Sequence, residues 1–281
     1  MLSYRHAFHA GNHADVLKHF TLIQLLRHLA QKPKPFWYID THAGAGWYDL
    51  DGHYAQTNAE YESGISRLWA RDDLPSALSD YVKLVRDMNP PGALRRYPGS
   101  PQIALQFTRT EDKLRLFEMH STEIELLARN MASASPRVMA VGGDGFSCLA
   151  SVLPPPTRRG LILLDPSYED KQDYRHVIVA LKEGLRRFAT GVFAIWYPQV
   201  QRAESRNLPD QLKRHCPGDW LHVALTVKSP APGGLGLHGS GMFIVNPPFS
   251  LPQPLQQVMP YLVRVLKQDP AARFDLEYKI D

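Results

Sequence analysis

Apolar residues recur along this chain with two periods. Between residues 14 and 30 they fall at Val16, Leu17, Phe20, Ile23, Leu26 and Leu29, the three-and-four spacing of a helix. The KPKP stretch at 32–35 ends that helix. FWYID at 36–40 is a short aromatic and β-branched run, and a glycine-containing loop follows at 41–46. A strand running into a tight turn opens a doubly wound fold. Residues 47–101 break the expected rhythm, with polar segments, helical stretches near 58–70 and 74–88, and NPPGALRRYPGSP. That pattern predicts an inserted, mostly helical subdomain over 47–101, which rejoins the scaffold near 97–101 within a single domain spanning 1–281.

The alternation then resumes. Helices are predicted at 100–110, 122–132, up to 153 after GGDGF, 172–188 and 200–215. Strands are predicted at 114–118, 138–141, 160–164, 192–196, 221–228 and 241–245. With 36–40 this makes a seven-stranded α/β sheet, mainly parallel, with a hairpin at its C-terminal edge. The last strand is expected to run antiparallel at that edge.

Composition narrows the class. The 281 residues are 44% apolar and 21% charged, which suits a globular core that needs neither disulfides nor a structural metal. The two cysteines, Cys148 and Cys216, have no neighbouring ligand residues at metal spacing, and reduced thiols are expected. The N-terminal segment has no signal-peptide core, and no apolar run is long enough to span a bilayer. A cytoplasmic protein without a membrane partner is expected. The net charge of +4 is a mild basic bias, compatible with a polyanionic partner. The pairs Arg95-Arg96, Arg158-Arg159 and Arg186-Arg187, with Arg5 and Lys18, are candidate phosphate contacts.

Four segments carry candidate chemistry, each at the end of a predicted strand. Asp40-Thr-His-Ala-Gly44-Ala-Gly46 is a turn in which glycines let the backbone approach a ligand. Glu118 can accept hydrogen bonds from both ribose hydroxyls of an adenosyl group. Asp144, in Gly142-Gly-Asp-Gly145, can receive an adenine amino group, and its flanking glycines leave room for the ring. Asp165-Pro166-Ser167-Tyr168 supplies an acid, a proline-fixed carbonyl and an aromatic ring within four positions. The lone pair of an adenine N6 is delocalised into the ring. A carboxylate and a carbonyl that accept its N–H groups draw that nitrogen toward tetrahedral geometry, and a stacked ring holds the base.

The order DTHAGAG, LFE, GDGF, DPSY resembles the Rossmann-like class I methyltransferases. The N-terminal segment YRHAFHAGNHADVLKH, with DTHAGAG and YPGSP, is similar over nearly the whole chain to the bacterial 23S ribosomal RNA adenine-N6 methyltransferases of the RlmJ type. The resemblance implies S-adenosyl-L-methionine as cofactor, 23S rRNA as naked or early-assembly substrate, and no metal. It implies that His19, His42, Ser100, Glu118, Asp144 and Gly145 contact the cofactor, along with the Asp40–Gly44 loop. It also implies that Asp165 both contacts the cofactor and is catalytic, and that Tyr4 faces the RNA; Pro166 and Tyr168 of the same motif are the further candidate catalytic residues. The proton released from N6 can pass to Asp165 or to water.

Two departures bear on the reading. Ser167 stands where the usual fourth motif has a second proline, which removes one φ restraint. Asn246-Pro-Pro-Phe249 fits an amino-methyltransferase pattern by letter but follows the last strand, on the side expected to face away from the cofactor. A DNA adenine-N6 methyltransferase would use the same pocket, and a non-catalytic RNA-binding module on this scaffold is the reading from another class. A nicotinamide-dependent oxidoreductase is disfavoured by the GDG loop and DPSY.

Overall fold

The computed structural model describes residues 4–233 and 236–280; the remaining positions of the sequence lie outside the described residues. In chain order the elements are α1 (His13–Ala30), β1 (Trp37–Asp40), β2 (Trp47–Asp49), α2 (His53–Asn58), α3 (Ser66–Trp69), α4 (Ser76–Asp87), β3 (Arg96–Pro98) and α5 (Ser100–Phe107). There follow β4 (Lys113–Glu118), α6 (Ser121–Met131), β5 (Val138–Gly142), α7 (Gly145–Val152), β6 (Gly160–Leu164), α8 (Gln172–Arg187) and β7 (Val192–Gln199). The chain closes with α9 (Ala203–His215), β8 (Trp220–Thr226), β9 (Gly239–Val245), α10 (Pro252–Leu266) and β10 (Arg273–Lys279).

The main sheet has eight strands in the order β10-β8-β9-β7-β6-β1-β4-β5. The five strands from β5 to β7 pair in parallel, so their carboxyl ends share one edge. The chain builds outward from β1 through β4 to β5, then returns to β6 on the other side of β1. This reversal opens a crevice above β1, the place where open α/β sheets bind ligands. β6, GLILL, is buried at all five positions, as a strand covered on both faces must be.

The C-terminal edge differs from the sequence expectation. β9 is not an edge strand. It inserts between β7 and β8 and runs antiparallel to both. Every residue of GSGMFIV is buried, and a Cβ on Gly241 would fall 2.4 Å from the Tyr197 ring, so the strand needs its glycines to lie this close to β7. The true edge is β10, RFDLEYK, an eighth strand whose charges suit a boundary with water. The sequence reading also passed over α10, where Pro252 occupies the first turn and Pro260 lies inside the helix.

Helix α1 is buried almost all round, because it packs against α5, α4, α10 and strands β7 and β9. Asn12 caps it by accepting Ala14 N and Asp15 N, both at 2.9 Å. Within 47–101 the helices α2 to α4 are framed by a two-stranded ribbon, Trp47 opposite Pro98 and Asp49 opposite Arg96. Leu68, Tyr81, Val82 and Tyr97 from this segment share one core with Leu17 and Phe20 of α1. The helix that follows β1 in the Rossmann sense is α5, which packs on β1 and β4. Among the described residues no helix is long and apolar enough to cross a membrane.

Candidate active site

The loop after β1 is held by its neighbours on both sides. Thr41 N and Oγ1 donate to Leu163 O of β6 at 3.1 and 3.0 Å, and Ala43 N donates to Phe117 O of β4 at 2.9 Å. Gly44 and Gly46 take φ of +60° and +87°, which an L side chain resists. This path brings Gly44 N to Glu118 Oε2 at 2.8 Å, while His120 N reaches Glu118 Oε1 at 2.8 Å. Burial raises the Glu118 carboxyl above its usual range, opposed by those two backbone donors. Each oxygen keeps lone pairs for further donors.

Asp144 caps α7, accepting Phe146 N at 3.0 Å and Ser147 N at 3.3 Å, with the Ser147 hydroxyl also bonded to it. No side chain fits at Gly145 without a shift, since an added Cβ would sit 1.9 Å from Thr41 O. Gly145→Ala must therefore push the β1 and β5 loops apart. Cofactor affinity is expected to fall on the order of tenfold or more, as overpacking of a close-packed contact implies, with the fold retained. Isothermal titration of this variant beside the unaltered protein measures the loss.

These loops line one cavity of about 780 Å³, a volume in the range of small-ligand sites. Of the residues predicted from sequence, Tyr4, His19, His42, Gly44, Ser100, Glu118, Asp144, Gly145, Asp165 and Pro166 all line it. His42 stands edge-on to Phe146 at 4.7 Å, and burial lowers its pKa to about 4. Burial lowers that of His19 to about 3, although Asp15 works the other way, and its Nδ1 lies 2.7 Å from Tyr97 Oη. Both rings are neutral at pH 7.

Two predicted residues lie behind the wall instead. Asp40 is fully buried and accepts the Tyr38 hydroxyl at 2.7 Å, the Ser100 hydroxyl at 2.6 Å and His42 N at 3.2 Å. It fixes the loop that carries the cavity wall. The Tyr168 ring, expected to stack on a base, is tucked beneath the Asp165 loop against Tyr174 and Trp196. Its hydroxyl donates to Trp196 O at 2.7 Å, and its backbone takes φ +55°, a left-handed conformation unusual for an aromatic residue. That turn follows Ser167 directly and re-aims the ring away from the cavity.

A polar chain that sequence reading missed runs from the N-terminal segment to Asp165. Tyr4 Oη lies 2.9 Å from His6 Nδ1, and His6 Nε2 lies 2.9 Å from Asp15 Oδ2. Lys18 Nζ forms ion pairs with Asp15 Oδ1 at 2.9 Å and Asp165 Oδ2 at 2.7 Å. Lys18 is buried, so it is not the phosphate contact its charge suggested. Burial disfavours its charge, but the two carboxylates hold its pKa above the usual value. Burial pushes the Asp165 carboxyl up to about 6, against the pull of Lys18. Asp15, Lys18 and His19 sit three and four apart in α1, the spacing that places them on one helix face, and that signal was present in the sequence.

Asn246 lies at the other end of the sheet. Its Nδ2 donates to Ala189 O and Gly191 O, both at 2.8 Å, just before β7 begins. Arg186 and Arg187 are paired with Glu183, and Arg5 with Glu123. Among the described residues no group of three or more His, Cys, Asp or Glu side chains is placed to hold a metal ion.

Residues 33–279 match the family model described as ribosomal RNA large subunit methyltransferase D, RlmJ. The chain is 45% identical over 262 residues to the ribosomal RNA large subunit methyltransferase J of Escherichia coli K12, covering 93% of each. It is 41% identical over 279 residues to the protein of the same name from Haemophilus influenzae, covering 99% of each. A crystal structure of a protein from Legionella pneumophila is similar with a TM-score of 0.89 at 35% identity, over 96% of this chain and 98% of that one.

Proposed function

The chain belongs to the RlmJ family of ribosomal RNA large subunit methyltransferases, and from that premise we propose that it transfers a methyl group from S-adenosylmethionine to the N6 amino group of an adenine in 23S rRNA. The observation that carries this reading is the position of Asp165-Pro166. They follow the central strand β6 and open into the same cavity as Glu118, Asp144 and the Gly44 turn.

The cavity walls fit an adenosyl group. Glu118, pinned by two backbone donors, is a fixed acceptor for ribose hydroxyls. Gly145 has no Cβ to intrude beside Thr41, and His42 and Phe146 present ring surface. S-adenosylmethionine supplies the methyl group as an electrophile when bound. The protein supplies alignment and charge. Asp165 accepts an N–H of the target amine and localises the lone pair on N6. The base must leave its stack to reach this acid. Lys18 keeps Asp165 ionised, so the acid can take the proton that N6 sheds after attack. Tyr4, which lines the cavity and bonds to His6, is the residue assigned to contact the RNA in this reading. The same proposal places the protein in the cytoplasm, where its substrate is made.

The test is methyl transfer from labelled S-adenosylmethionine to defined 23S rRNA fragments, with mass mapping of the product and duplex DNA as control. N6-methyladenine at one position is expected. Product on DNA alone, or none, overturns the reading. Millimolar S-adenosylmethionine without RNA is expected to raise Tm by several degrees, because a ligand that binds only the folded state stabilises it by mass action. Differential scanning calorimetry reads this directly.

A further inference from the structure

Two sequence features find no role in the catalytic cavity: Asn246-Pro-Pro-Phe249 and the pair Arg158-Arg159. The fold brings them together at the opposite pole of the sheet. Arg159 O accepts Trp37 N at the start of β1, and Asn246 ties down the turn before β7. Beyond that anchor Phe249 stands off the surface, 79% exposed, the most exposed of the large apolar side chains described. His28 links the two features. Its ring meets Phe249 edge-on at 5.8 Å, and its Nδ1 lies 3.0 Å from Ser250 Oγ. It also lines a concavity of about 400 Å³ with Lys32, Lys34, Arg158, Arg159 and Thr190.

The cations here differ in what they are free to do. Arg159 is committed to the carbonyls of Leu29 and Lys34 and shapes the floor. Arg109 holds the Lys32 carbonyl at 2.9 Å and neutralises the nearby acids, Asp112 at 3.1 Å and Glu111 at 3.4 Å. Lys32, Lys34 and Arg158 are exposed, and no ion pair among the described residues occupies their side chains. An uncompensated basic concavity with a bare aromatic ring on its rim matches the two halves of a nucleic-acid strand, phosphates and a base face. A lone anion would give the ring nothing to do. The distance also argues for a large ligand. Along α1 the catalytic cavity is lined by His19 and this concavity by His28, nine residues or about 14 Å apart.

We propose that Lys32, Lys34, Arg158 and Phe249 form a second RNA-binding surface, which grips substrate RNA remote from the target base, with phosphates on the cations and an unpaired base on the ring. This rests on the reading that the substrate is RNA. The test compares the triple variant Lys32→Ala/Lys34→Ala/Arg158→Ala and the single Phe249→Ala with the unaltered protein. Binding is measured by fluorescence anisotropy across a salt series. One RNA is a long 23S fragment, and the other is an oligonucleotide too short to reach from the catalytic cavity to this concavity.

For the long fragment, the triple variant should show a slope of log K against log salt smaller by about two to three, the counterions released by three phosphate contacts. Phe249→Ala should bind that RNA roughly tenfold more weakly, as loss of one stacked base implies, with its salt slope kept. Affinity for the short oligonucleotide, single-turnover rate on it at saturation, and the thermal shift with S-adenosylmethionine should stay as in the unaltered protein. Unchanged affinity and slope on the long fragment overturn the proposal, and so does an equal loss on the short one. Failure of the unaltered protein to bind either RNA overturns the RNA substrate itself, and its own control reports that separately.

Discussion

Asp165→Ala is expected to cost on the order of 10²–10³ in the rate of methyl transfer, the usual loss when an oriented hydrogen-bond partner of the reacting group is removed. Asn246→Ala is expected to leave the single-turnover rate at saturating RNA unchanged. The contrast is sharp because both residues sit in similar local sequences, Asp-Pro-Ser-Tyr and Asn-Pro-Pro-Phe, each after a buried strand. Asp165 follows β6, whose carboxyl end adjoins the β1 loop and the cavity. Asn246 follows β9, which runs the other way, so its side chain braces the carbonyls of Ala189 and Gly191 instead. Truncating it forfeits two hydrogen bonds to backbone, a stability loss of about 1–3 kcal/mol. The measurement is single-turnover transfer by both variants, with folding checked by circular dichroism. An active Asp165→Ala beside a dead Asn246→Ala would move the active site to the other pole.

Lys18→Met should produce the second large effect and a distinct signature. The ammonium stands 2.7 Å from Asp165 in a buried setting. Taking away one partner of such a pair costs about 3–5 kcal/mol, because the remaining charge is left uncompensated. Asp165 escapes part of that cost by taking up a proton. Its carboxyl is already pushed up to about 6 by burial, against the pull of Lys18. Only the carboxylate accepts the amine N–H, so activity should rise with pH through that value in the unaltered protein. Without Lys18 the folded-state pKa rises further, and the acidic limb should move to higher pH by at least about one unit, since one unit corresponds to 1.36 kcal/mol. The rate at pH 7 falls accordingly, and part of it returns at higher pH. A variant whose pH profile keeps its midpoint while the rate drops would reduce Lys18 to a packing role. Asp15 retains Gly11 N at 2.8 Å and His6 at 2.9 Å in this variant, which gives the fold a means to survive the change.

Ser167 sharpens what these tests can separate. The residue after it adopts φ +55°, and the Tyr168 ring leaves the cavity to pack with Trp196. Base stacking by this ring was the part of the fourth motif that depended on backbone path rather than residue identity. The acid and the first proline keep their places in the wall regardless.

The sequence by itself determined the elements whose signal is local. The periodic apolar positions of 14–30, the all-apolar GLILL and the acids closing successive strands each mark a feature that neighbours along the chain enforce. His42, Gly44, Glu118, Asp144, Gly145, Asp165 and Pro166 therefore line the cavity, because a parallel sheet puts every strand's carboxyl end on one edge, while Tyr4, His19 and Ser100, expected from the family resemblance alone, reach it from the N-terminal segment, α1 and α5. Only the tertiary structure decided the remainder. Whether Asp40 faces a ligand or a neighbour depended on Tyr38 and Ser100, the latter 60 positions away. Whether Lys18 meets phosphate or a carboxylate depended on Asp165, 147 positions away. β9 entered the sheet interior because it pairs with β7 on one side and β8 on the other, and the charged edge beyond β8 is β10, which has too few buried positions to announce itself. For Asp40 and Lys18 a deciding partner, Ser100 or Asp165, lies far along the chain. A side chain's charge or shape names what it can bind, while long-range packing chooses what it does bind.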